Sequence, residues 1–130
     1  MKKLMLLGVF ALLGACAPGT VPTPEPTFYK ASETEIFTAV VQAISSAPAL
    51  ADSSGWSIVT SDSAGGFIRA ETSVERCGFL GFGCDDETES LSVIISRDGD
   101  RTQVIMQITP EAQLLSSRVR AQLGEKFNRA

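Results

Sequence analysis

The sequence predicts an α+β fold: a two-layer sandwich in the order helix, four-stranded antiparallel sheet, helix, over residues 28–130. Three observations carry it. A capped apolar stripe begins at Ser32, four short runs alternate in polarity between Trp56 and Ile108, and a second helical stripe ends at Phe127. About a hundred residues suffice for one hydrophobic core and not for two.

The first helix is announced by Ser32-Glu33-Thr34-Glu35, a capping-box pattern in which serine and glutamate satisfy each other's backbone amides. Ile36, Phe37, Val40, Val41 and Ile44 then recur on one face, and Pro48 and Gly55 close the segment. The first strand run is Trp56–Thr60, ended by the turn residues Asp62–Gly66. In the second, Ile68, Ala70, Thr72 and Val74 alternate with Arg69, Glu71, Ser73 and Glu75, so one face meets water. The third places Leu91, Val93 and Ile95 against Ser92 and Ser96. Asp98-Gly99 signals a two-residue type I′ hairpin, leading into the fourth run with Val104, Met106 and Ile108 on one face. The second helix is expected to be capped by Thr109, with Pro110 at its first position and Glu111 in its first turn. Ala112, Leu115, Val119, Leu123 and Phe127 form its apolar stripe; Arg118, Arg120 and Lys126 are expected to face water.

Composition excludes several classes of function. The chain has no histidine, which removes histidine triads, histidine metal clusters and a histidine pH switch. Its net charge of −4 becomes −6 once Lys2 and Lys3 are cleaved away, the wrong sign for nucleic acid. No serine sits in a Gly-x-Ser-x-Gly elbow, and no catalytic residues, cofactor or metal are expected.

The N-terminus gives the address. Lys2 and Lys3 precede an apolar run from Leu4 to Ala15, which as a helix rises only about 18 Å, too short for a bilayer core of roughly 30 Å. It reads as a targeting signal, residues 1–15. The run ends in Leu13-Gly14-Ala15-Cys16, which resembles the lipobox of bacterial lipoproteins. The resemblance implies cleavage between Ala15 and Cys16 and acylation of the Cys16 thiol and amine. Two or three acyl chains, each contributing about 0.8 kcal/mol per buried methylene, anchor far more firmly than one. Ala17, where an aspartate would retain the protein at the inner membrane, implies by the same resemblance the outer membrane of a two-membrane host. In a single-membrane host it implies the outer face of the plasma membrane. Residues 16–27 follow as a lipidated cysteine and a tether. Pro18, Pro22, Pro24 and Pro26 favour an extended polyproline conformation that spaces the domain from the membrane.

With Cys16 acylated, Cys77 and Cys84 remain, with six residues between them, in an oxidising compartment. They fall where the second and third strands should turn, and a disulfide there staples the loop. A thioredoxin-type pair would have two intervening residues, and zinc would need two more ligands. Between the cysteines, Phe79, Leu80 and Phe82 lie among three glycines. Either these side chains fold back to cap the core, or the staple holds them out as an interaction loop. Asp85, Asp86, Glu87 and Glu89 lack the spacing of a calcium loop and read as a solvated charge run; Trp56 reads as a core residue.

The element order also resembles the small helix-grip domains of some envelope lipoproteins, such as the globular part of the BamC (NlpB/DapX) family. It rests on order alone, and no residue is carried over. The expectation is a non-enzymatic, lipid-anchored envelope module that binds or scaffolds another envelope protein or lipid. A carrier of small apolar ligands, held between sheet and helix, is the alternative. Intact-mass measurement of the natural product should find Cys16 first and acylated, and Cys16→Ala should abolish palmitate labelling and membrane association. A product beginning elsewhere, or without acyl chains, defeats the assignment.

Overall fold

The computed structural model describes residues 24–130; the signal segment, Ala15, Cys16 and most of the tether lie outside the described residues. The architecture is α+β, with two helices on one face of an antiparallel sheet. The sheet has five strands rather than the four expected. In chain order they are β1 (Thr27–Tyr29), β2 (Ser57–Asp62), β3 (Phe67–Cys77), β4 (Cys84–Asp98) and β5 (Arg101–Ile108). Helix α1 (Glu33–Ser45) lies between β1 and β2, and α2 (Gln113–Lys126) follows β5. Spatially the strands run β1-β5-β4-β3-β2.

The additional strand is β1, which pairs Thr27 with Val104 and Tyr29 with Thr102 at the margin of β5. Three residues are too few to display an alternation. Its membership is written in tertiary contacts instead. Tyr29 is fully buried, and burial pushes its hydroxyl pKa up against the opposing pull of Arg129 and Arg120. Thr102, also buried, donates its hydroxyl to the Ala31 carbonyl at 2.6 Å, fixing the passage from β1 into α1. On the far side of β1 the C-terminal residues complete the ladder. The Lys30 amide donates to the Asn128 carbonyl and the Ala130 amide to the Phe28 carbonyl, both at 2.9 Å.

Helix α1 starts as its sequence directs. The Glu35 amide donates to Ser32 Oγ at 3.2 Å, and the Ser32 amide donates to Glu35 Oε2 at 2.9 Å. The bonds that Glu35 accepts from Ser32 hold its carboxyl below the usual carboxylate range. Ile36, Val40 and Ile44 are buried with Ala39 and Ala43, while Phe37 and Val41 pack at the margin. Against them stand the inward residues of the sheet: Ile68 and Ala70, Leu91, Val93 and Ile95, Val104 and Met106. Helix α2 closes the layer with Leu115, Val119 and Leu123.

Its start differs from the expectation. A 3₁₀ turn, Pro110–Ala112, precedes it, and the Thr109 hydroxyl caps nothing. That hydroxyl accepts from the Ser90 amide at 2.9 Å, so it ties the end of β5 to β4. Arg118 likewise does not simply face water: its guanidinium donates to the Ser46 carbonyl at 3.1 Å, supplying a cation to a C-terminus of α1 that has no basic residue of its own. The outward face of the sheet is not wholly polar either. Phe67, Ile94 and Ile105 are cross-strand neighbours there, half-buried, and Arg101 covers the Phe28 ring at 3.7 Å from its centroid.

The β4–β5 turn is Gly99-Asp100, since Asp98 already pairs with Arg101. Only Gly99 has positive φ, 64°, which marks type II′ and corrects the expected type I′. At the β2–β3 turn the demand is stricter. Gly66 has φ 68°, and a Cβ there would lie 2.0 Å from the Ile95 carbonyl oxygen, backbone that cannot step aside. The Ile95 amide meanwhile donates to the Gly66 carbonyl at 2.7 Å. A Cβ on Gly99 would meet nothing within 4 Å. Gly99→Ala should therefore cost only the conformational penalty, about 1 kcal/mol, whereas Gly66→Ala should cost at least twice that in urea unfolding. Equal losses would refute the close approach.

Candidate functional site

Strands β3 and β4 are longer than their neighbours. β2 begins opposite Glu71 and β5 ends opposite Leu91, yet the β3–β4 ladder continues in register to Cys77 opposite Cys84. The excess forms a two-stranded arm projecting past the body of the sheet. Its base is braced by the Ser53–Val74 bridge and by the Glu75 amide donating to the Asp52 carbonyl at 3.0 Å.

At the end of the arm Cys77 and Cys84 are joined as a disulfide between directly opposed residues. The loop they enclose bends through a short 3₁₀ turn, Phe79–Gly81. Two backbone bonds cross it: the Gly81 amide donates to the Gly78 carbonyl at 3.1 Å, and the Gly78 amide to the Gly83 carbonyl at 3.3 Å. Leu80 takes φ 61°, a left-handed conformation that costs a branched side chain on the order of 1 kcal/mol. Phe79, Leu80 and Phe82 are 89%, 77% and 78% exposed. They do not fold back over the core. The arm carries them out of its reach.

Behind the loop the arm is acidic, with Glu75, Asp85, Asp86, Glu87 and Glu89 against the single cation Arg76. The acidic run lies in β4, and not all of it is solvated as expected: Glu89 is 6% exposed. Arg76 lies on the same face and holds the group together. It pairs with Glu87, reaches Glu89 Oε1 at 3.7 Å, and donates from Nη2 to Glu111 Oε1 of the 3₁₀ turn at 2.7 Å. The Glu111 bond, followed by Glu87, holds the guanidinium pKa above its ordinary value. Arg76 thus straps the arm to the segment leading into α2. The sequence carried one signal of this: an unaccompanied cation, two residues beyond Val74 on the buried face, opposite an acidic strand.

Among the described residues, the cluster with ligand-forming atoms in mutual reach is Glu75, Cys77 and Cys84, within 4.8 Å. The two sulfurs are bonded to each other, so no thiolate is offered and one carboxylate remains. Trp56 packs against the core beside Ile58. A depression lined by Thr34, Glu35, Thr38, Ala39, Gln42, Lys126 and Phe127 is open to solvent; in it Lys126 Nζ donates to Gln42 Oε1 at 3.0 Å, and the Glu35 carboxylate accepts from Ser32. Cys16 and Ala15 are outside the described residues.

Removing the staple should weaken the arm first. For a closed loop of this length the chain-entropy model gives about 2.5 kcal/mol. Cys77→Ala with Cys84→Ala should lower stability by up to that amount and speed amide exchange from Glu75 to Glu87, with the α1 amides unchanged. Unaltered exchange in the arm would show that the disulfide does not order it.

No protein-family model matches the chain, and no curated protein matches it. Among solved structures it is similar to the crystal structure of TTHA0849 from Thermus thermophilus, at 12% sequence identity. The TM-score is 0.33, covering 79% of this chain and 86% of that one, a likeness too loose to carry fold or function across.

Proposed function

We propose that the chain is a non-enzymatic, lipid-anchored module of a bacterial envelope, which docks another envelope component through the tip of the β3–β4 arm. In this reading Cys16 carries the acyl chains and residues 17–27 space the domain from the membrane. The domain is a rigid mount. The observation that carries the reading is the pairing of a covalent staple with three large apolar side chains turned to solvent. Exposed apolar clusters mark interaction surfaces, and a preformed loop surrenders little entropy on binding. The interior supports docking over carriage of a small ligand. The space between sheet and helices is occupied by the core's own residues, from Tyr29 and Ile36 to Leu123.

The test separates mount from tip. Phe79→Ser with Phe82→Ser removes exposed groups, so the melting temperature should stay within about 3 °C of wild type. A photoreactive residue at Leu80 should crosslink an envelope component in intact cells, and the double variant should lose that product. A large fall in melting temperature with capture undiminished would overturn the reading.

A further inference from the structure

We infer that the arm's tip inserts into the bilayer leaflet that holds the lipidated N-terminus, so that the domain meets its membrane at two points. The inference rests on the anchoring of Cys16 proposed above, and four observations lead to it.

The first is direction. β1 runs antiparallel to β5, with Thr27 opposite Val104 and Tyr29 opposite Thr102, so the chain preceding Thr27 leaves toward the Ile108 end of β5. Ile108 faces Leu91, and β4 continues from Leu91 through Glu89 to Cys84 in that same direction. The tether and the tip therefore depart from the same end of the sheet.

The second is reach. Val104 to Ile108 is four residue steps and Leu91 to Cys84 is seven, which at roughly 3.3 Å per step puts the staple about 36 Å beyond Thr27. Cys16 to Thr27 is eleven steps, and a proline-rich segment extended at about 3.1 Å per residue spans about 34 Å. A tether of that length is long enough for Cys16 to lie level with the tip.

The third is the chemistry of the tip. From Gly78 to Gly83 every side chain is apolar or absent, and none can donate or accept a hydrogen bond. Protein hot spots are built on tryptophan, tyrosine and arginine, whose polar groups fix orientation, and a standard protein interface takes about 800 Å² from each partner. Three apolar side chains of roughly 150–200 Å² each offer about 500 Å². That is small for a protein partner and sufficient to wedge a loop into a lipid interface, where no directional polar partner is needed. Within the loop the Gly78 and Gly81 amides are paired, to the Gly83 and Gly78 carbonyls, and its remaining backbone groups need hydration, which sets the tip at the headgroup level of the leaflet and not in its hydrocarbon core.

The fourth is the collar. Glu75, Asp85 and Asp86 stand immediately behind the disulfide, where they stop entry at the depth of the loop and disfavour an anionic surface.

The experiment uses the full mature protein, its acylation verified by mass, reconstituted in phosphatidylcholine vesicles. Trp56 is the native tryptophan and sits well behind the staple, so the wild type supplies the baseline. Phe82→Trp, with Leu80→Trp as a second position, should show added emission that is blue-shifted and quenched by bromine-labelled phosphatidylcholine, while Trp56 stays unquenched. Replacing half the lipid with phosphatidylglycerol should reduce that quenching at low salt. Tip emission that remains solvent-like and unquenched in acylated, vesicle-bound protein would overturn the inference. A protein captured from Leu80 in cells together with an unquenched tip would do the same while leaving the docking function intact. An unacylated natural product would instead defeat the anchoring reading itself.

Discussion

The register of β3 against β4 is the constraint on which the rest depends. One uninterrupted ladder runs from Phe67 opposite Ile94 to Cys77 opposite Cys84. Its inner half sets Ile68 and Ala70 beside Val93 and Leu91 under the helices; its outer half sets Arg76 beside the glutamates and brings the cysteines face to face. Side chains alternate with a period of two, so a slip of one residue would turn the core to solvent and part the cysteines together. The staple at one end and the apolar pairs at the other enforce the same alignment. Core, strap and tip are three readouts of one register.

The two halves of that ladder are held by different physics. The inner half is covered by α1 and α2 and rests on apolar burial. The arm has no such cover, and a lone two-stranded ribbon is marginal in water. It is secured piecewise: by the Ser53–Val74 bridge and the Thr109 hydroxyl at its root, by Arg76 midway, and by the disulfide at its end. Arg76 is partly exposed, so its pairings contribute modestly to stability. Their service is positional, since without that cation Glu87, Glu89 and Glu111 would face one another uncompensated. Buried Glu89 keeps Oε2 without a hydrogen-bond partner even so.

What the sequence disclosed was whatever is decided locally. The Ser32–Glu35 box, the α1 stripe and the inward faces of β3, β4 and β5 follow from neighbours three or four, or two, positions apart. What it withheld is decided at a distance. Thr27–Tyr29 is a strand only because β5 and the C-terminal residues flank it. The hydroxyl of Thr109 had two possible uses, and the nearby Ser90 amide of β4 claimed it. Asp85–Glu89 reads as a solvated charge run because successive acids carry no apolar period, yet pairing with β3 makes it strand and buries Glu89. The fate of Phe79, Leu80 and Phe82 was likewise undecidable locally, since it turns on how far the arm outruns the sheet.

The margins of the sheet bear on whether one copy can extend the ladder of another. β1 is flanked on its outer side by Asn128–Ala130, which occupy the hydrogen-bonding groups a neighbouring chain would need. The opposite margin, β2, is short, interrupted by a bulge between Ile58 and Thr60, and polar from Thr60 to Asp62. Neither side invites another molecule to extend the ladder into a fibril. Under the anchoring proposed above, which would concentrate molecules in a plane where sideways collisions are frequent, these margins disfavour joining one sheet to the next.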